Sequence, residues 1–172
     1  MKAILATTIS LLILTGLTGM IIDLTKKEEP VTVPQRVALV ATPELNQFTR
    51  EGLLSGINEK RTKEGLTPLT LNNRLNESAQ LKAEDMNKKR YWAHVSPSGE
   101  QPWVWFKKVQ YLYTRAGENL AKCYNTNAQA VEAWWNSPTH KDNILGDYTE
   151  AGFGFVQYEP DCVVIVNHFG RR

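Results

Sequence analysis

Polar and apolar positions follow different rules in successive stretches of this chain. From Ala3 to Ile22 there is no charged residue at all. Twenty residues at about 1.5 Å each match a bilayer core of about 30 Å. A removable signal segment is usually shorter and ends in a small-x-small site. Here Gly16 and Gly19 are followed by more apolar residues, Met20 to Ile22. Residues 1–25 therefore read as a membrane anchor that stays attached, with a cleaved signal as the alternative. Residues 26–47 hold three prolines among short mixed patches and read as a linker.

From Phe48 the spacing becomes helical. Leu53, Leu54 and Ile57 share a face, a charged run follows, and Gly65 stops the helix. A second helix is expected after Asn72 or Asn73 as the cap, with Leu75, Ala79, Ala83 and Met86 on one face. It closes on the basic run "KKR", which suits the negative end of a helix dipole. "YWAHVSPSGEQP" reads as a loop, "WVWFKKVQY" as a short helix, and "AGENLAK" fits no single period. "NTNAQAVEAWWNSP" is a helix capped at Asn125 or Asn127, with Ala130, Val131 and Trp134 inward, and "HKDNIL" adds a further turn. The tail changes to period two. "AGFGFVQY" and "CVVIVNHF" flank the turn "EPD" and predict a hairpin. Helices followed by an antiparallel hairpin make the domain at 48–172 α+β.

Composition narrows the partners. The net charge is +2 with no arginine-rich run, which argues against nucleic acid. The two cysteines lack the spacing of a zinc knuckle or a thioredoxin-type pair. Chemistry must come from a few residues: His94, His140 and His168, and Glu118, an acid among small and apolar neighbours. Taken singly, each histidine reads as a loop or core residue, and Glu118 as a carboxylate ordering a loop. Ser96 and Ser98 sit near His94, but no nucleophile elbow accompanies them.

Read in order, "YWAHVSPSG", "AGENLA", "WWNSPTHKDNIL", "YTEAGFGF" and "HFG" change this picture. Together they resemble the CAP superfamily of cysteine-rich secretory, antigen 5 and pathogenesis-related 1 proteins, in its bacterial SCP-like form, over residues 48–170. The resemblance implies an α-β-α sandwich with a small antiparallel sheet and an open cavity lined by two histidines and acidic residues. Matched position by position, His94 is the first histidine, Glu118 the acid and His140 the second histidine. Two positions depart from the family pattern. Thr139 stands where glycine is usual, and Ser137 where eukaryotic members place a second glutamate.

Two imidazoles and a carboxylate make an open three-ligand set, so His94, His140 and Glu118 are candidate ligands for zinc or a similar divalent ion. The family is mainly secreted. That places the domain on the extracellular face of the membrane, tethered through residues 3–22, or secreted if the segment is cleaved. An exported domain with two cysteines is expected to pair Cys123 with Cys162. Fold likeness does not choose a reaction. A binding module for a lipid, peptide or envelope ligand leads, ahead of a metal-dependent hydrolase or a structural envelope protein.

Overall fold

A computed structural model describes residues 47–172; the expected anchor and most of the linker lie outside the described residues. Five helices and four strands follow one another as α1 (Arg50–Lys63), β1 (Thr70–Leu71), α2 (Asn73–Lys89), α3 (Trp103–Lys108), β2 (Arg115–Lys122), α4 (Asn127–Trp135), α5 (Pro138–Ile144), β3 (Glu150–Glu159) and β4 (Cys162–Arg171). Among the described residues no helix is long and apolar enough to cross a membrane.

Caps set the helix starts. Thr49 Oγ1 accepts from the Gly52 amide, and Asn72 accepts from the amides of Arg74 and Leu75. The fourth helix is capped by Thr126 rather than by the asparagines on either side of it, because the Thr126 hydroxyl reaches the Gln129 amide. Pro138 follows the end of α4 and occupies the first turn of α5, where its missing N–H costs nothing.

The sheet is larger than the expected hairpin. Its strand order is β1-β3-β4-β2. The β3–β4 hairpin lies at the centre, β2 pairs antiparallel along β4, and two-residue β1 pairs parallel with β3. The segment "AGENLAK", which showed no period, is thus strand β2 at the sheet edge. It escaped the alternation rule because Gly117 to Ala121 are buried without interruption, helices covering both of its faces.

Alternation along β3 and β4 separates the two faces. Ala151, Phe153, Ile165 and Phe169 join the main core with Leu53 and Ile57 of α1, Val131 and Trp134 of α4 and Ile144 of α5. Val164 and Val166 face the other way, onto Ala79, Ala83 and Met86 of α2. A third cluster ties Leu75 of α2 to Phe106 of α3 and Tyr111 just beyond it. The helices therefore form two layers with the sheet between them. The layer with α2 lies close because Gly152 and Gly154 have no side chain. A Cβ at either would collide with the α2 backbone, at Leu75 and Asn76 or at Ala79 and Gln80.

Cys123 and Cys162 form the expected disulfide, closing a separation of 39 residues between the end of β2 and the start of β4.

Candidate functional site

The site is organised by β2. Successive residues of a strand point to opposite faces, so Glu118 and Asn119 serve opposite layers. Glu118 faces α2, in register with His168 of β4 and, one strand further, Gly152 of β3. Its carboxylate is buried, and both oxygens are occupied. Oε1 accepts from His94 Nδ1 at 2.7 Å, and Oε2 accepts from His168 Nε2 at 3.0 Å. His168 Nδ1 in turn lies 2.8 Å from Ser78 Oγ of α2. Burial pushes the Glu118 carboxyl up, but the hydrogen bonds from His168 and His94, reinforced by nearby charge including Lys82, outweigh it and hold the group below its ordinary range.

This assigns every proton in the chain. An ionised carboxylate only accepts, so each histidine presents an N–H to it. Full burial pushes the His168 pKa down despite Glu118, so His168 is neutral and its Nδ1 must accept the Ser78 hydroxyl proton. The His168 ring also stacks on Phe106, with centroids 4.5 Å apart. His94 donates through Nδ1 from a side chain that is 51% exposed, and its Nε2 takes no part in the bond to Glu118.

The loop carrying His94 has no secondary structure of its own, and a buried lysine holds it. Lys82 of α2 is fully buried; its ammonium donates to Tyr91 Oη at 3.1 Å, Ala93 O at 2.9 Å and His94 O at 2.7 Å. Tyr91 Oη passes its own proton to Asp85, 2.8 Å away. Burial lowers the Lys82 pKa, opposed by the charges of Glu118 and Asp85. Three acceptors saturate the ammonium, which is what a buried lysine requires.

His140 arrives from the other layer. Its Nδ1 lies 2.9 Å from Ser137 Oγ, one turn earlier on α5. Its backbone carbonyl accepts from Asn119 Nδ2 at 3.0 Å, and Asn143 Nδ2 donates both to the Glu118 carbonyl at 3.1 Å and to Asn119 Oδ1 at 2.8 Å. Partial burial lowers the His140 pKa, and the charge of His94 nearby lowers it further.

So the structure joins His94 directly to Glu118 and brings His140 within electrostatic reach of His94, but no hydrogen bond links His140 to the other two. Among the described residues no group of three or more His, Cys, Asp or Glu side chains is spaced to hold a metal ion. Glu118 spends both oxygens on imidazoles. Outside these bonds there remain one imidazole nitrogen each on His94 and His140, a ligand short of the three-residue set expected for zinc. His168, which the sequence left as a structural residue, is the side chain that takes the carboxylate's second oxygen.

Beside His140 a cleft of about 390 Å³ opens along the edge of β2. Trp92, Trp134, Leu120 and Tyr124 supply its apolar walls; His140, Ser137 and Lys122 supply polar groups. The Lys122 ammonium lies 5.1 Å from the Trp92 ring. Trp134 is anchored by Nε1 donating to the Leu120 carbonyl at 2.9 Å. A larger hollow of about 570 Å³ lies elsewhere and contains none of the histidines. Its buried Arg61 spends its donors on the carbonyls of Thr67, Ile144, Gly146 and Tyr148, so that guanidinium clamps a loop.

Residues 54–169 match the model of the cysteine-rich secretory protein family. Two Bacillus subtilis proteins are similar in sequence. The uncharacterized protein YkwD is 34% identical over 134 residues, 77% of this chain and 52% of its own length. The uncharacterized membrane protein YlbC is 30% identical over 122 residues, 70% of this chain and 35% of its own length. The chain thus spans about half or less of these relatives. An outer surface protein of Borrelia burgdorferi superposes with a TM-score of 0.65 at 27% identity, covering 71% of this chain and 91% of that one. An extracellular SCP-domain protein of Bacillus anthracis has a TM-score of 0.62 at 22% identity, covering 72% of this chain and 40% of its own.

Proposed function

The chain belongs to the cysteine-rich secretory protein family, and from that premise we propose that it is a binding module tethered to the outer face of a cell membrane, whose cleft along β2 takes a lipid, peptide or other envelope ligand. The cleft itself carries this reading. Its walls are largely aromatic and aliphatic, with a few polar groups among them from His140, Ser137 and Lys122, the composition expected of a small-molecule site. His140 stands in its wall as an orienting group, and His94 lies outside the lining, close enough to act on His140 electrostatically. Glu118, His168 and Ser78 lie behind them and fix how His94 points.

The tether rests on the uncharged run Ala3–Ile22, and the outward placement on relatives described as extracellular or outer-surface proteins. Hydrolysis is less well supported. The buried carboxylate of Glu118 has both oxygens engaged by imidazoles, so it is not free to act as a base toward water.

The test is native mass spectrometry of the full-length chain, extracted in detergent from the membranes of the cells that make it. The expected result is a co-purifying mass that disappears in Trp92→Ala and in His140→Ala while the fold is kept. Identical spectra for all three proteins, with no adduct or an unchanged one, would refute the cleft as the binding site.

A further inference from the structure

The surface after α3 has a composition unlike the rest of the domain. From Gln101 to Gly117 there is no acidic residue, while Lys107, Lys108 and Arg115 are basic. The aromatic residues of this segment hold it to the body of the protein. Phe106 packs edge-on against Tyr111 and Tyr113 with centroids 6.0 and 5.3 Å away, and Trp103 meets Tyr113 at 6.4 Å. The backbone then reverses at Gln110, a non-glycine residue in the left-handed region with φ 54°. The neighbours that follow have opposite fates. Tyr111 is 2% exposed and Leu112 is 83% exposed, against 37% and 39% for the other exposed large apolar residues, Trp92 and Val95.

Leu112 stands at the rim of a depression of about 340 Å³ lined also by Lys107, Gln110, Tyr111 and Tyr113. Arg74 of α2 braces the loop by donating to the Gln110 carbonyl at 2.7 Å. Among the described residues, Lys107, Lys108 and Arg74 form no ion pair, whereas Arg115, Arg171 and Arg172 are matched by Asp147 and Glu150. The patch is therefore a braced apolar tip beside three cations without ion-pair partners, of which Lys108 holds its ammonium 3.8 Å from the Trp105 ring centre.

We propose that this loop rests on an anionic lipid surface, with Leu112 entering the boundary between headgroups and acyl chains and Lys107, Lys108 and Arg74 lying among the phosphates. An apolar residue flanked by lysine and arginine, over an aromatic base, is the chemistry that such an interface selects. The attraction acts over about one Debye length, so it needs the domain held close. The inference rests on the tether at residues 3–22, which would supply that proximity.

The experiment places the full chain in lipid nanodiscs of phosphatidylcholine alone or with one third phosphatidylglycerol. Leu112→Cys is labelled with bimane; Cys123 and Cys162 are already joined and do not react. In anionic discs the dye is expected to shift to the blue and to be quenched by spin-labelled lipid, while the same dye at Lys63→Cys on α1 stays in water. Lys107→Gln with Lys108→Gln should lower the ratio of docked to free loop by roughly 30-fold, at about fivefold per charge. A dye at residue 112 that remains in water in anionic discs, or docks equally in neutral ones, overturns the proposal. If the chain does not enter discs of either composition, the tether has failed, and the free chain titrated with anionic vesicles gives the same readout for the loop.

Discussion

His168 should make this domain acid-sensitive, and its environment gives the size of the effect. The ring is fully buried, stacked on Phe106 and bonded at both nitrogens, one to Glu118 and one to Ser78. Burial lowers its pKa from the ordinary 6.5, so the native state keeps it neutral where the unfolded chain is protonated. The depressed pKa fixes the sign. Stability is whole above pH 6.5 and is lost as pH falls, because the unfolded state binds a proton that the native state refuses. One such group costs at most about 1.4 kcal/mol per pH unit below its unfolded pKa, so the upper bound is roughly 2 kcal/mol between pH 6.5 and 5. Glu118, whose pKa is also depressed, adds to the loss only lower down, through the carboxylate range. Urea unfolding with the disulfide intact, from pH 8 to pH 5, measures the slope. His168→Gln is the control. Its amide can still donate to Glu118 and accept from Ser78, but it does not titrate. The variant should lose up to about one proton's worth of slope between pH 6.5 and 5, whatever its stability at pH 8. An unchanged slope would refute the neutral, buried assignment of His168 and with it the proton order from Ser78 to His94.

Other outcomes follow from single contacts. Lys82→Met leaves the Ala93 and His94 carbonyls without their buried donor and should cost about 2–4 kcal/mol in urea unfolding; it should also return the His94 ring signals in NMR to those of a free imidazole, which a merely destabilised domain would not show. Reducing the Cys123–Cys162 bridge removes a closed loop of 39 residues and should lower stability by about 4 kcal/mol, measured as the difference in denaturation midpoint with and without reductant. Gly154→Ala drives a methyl into the backbone of α2 and should cost about 1–3 kcal/mol or more, seen as a lowered Tm, whereas Gly99→Ala, where nothing lies within 4 Å, should cost only the strain of its left-handed φ of 82°.

How far the sequence reached depended on how many faces of each segment are covered. Helices α1, α2 and α4 each bury one stripe, so their apolar spacing was readable, and the hairpin of β3 and β4 was marked by its turn and its β-branched residues. The run "GENLA" is buried on both sides and includes a charge, so neither period nor polarity marked it as a strand. The same cause hid His168. Its parity with Val164 and Val166 was a signal that it points inward, but its partner follows only from the β2–β4 register, which sets Glu118 opposite it. The motif resemblance placed His94, Glu118 and His140 in one region. It did not distinguish the histidine that touches the Glu118 carboxylate, His94, from the one held in the opposite layer, His140.

That distinction follows from where β2 lies. As an edge strand covered on both faces, it hands Glu118 to the α2 layer and Asn119 to the α5 layer, and Asn143 bonds to both residues at once. His94 is held from one side through Glu118 and Lys82, and His140 from the other through its carbonyl on Asn119. The spacing of the two imidazoles is therefore set by one strand's backbone rather than by contact between the rings. Such an arrangement holds two imidazoles near each other without a hydrogen bond between them, with His140 in the wall of the cleft. It suits recognition of a polar group on an otherwise apolar ligand, because His140 and Ser137 are positioned in the cleft before the ligand arrives and little ordering remains to be done on binding.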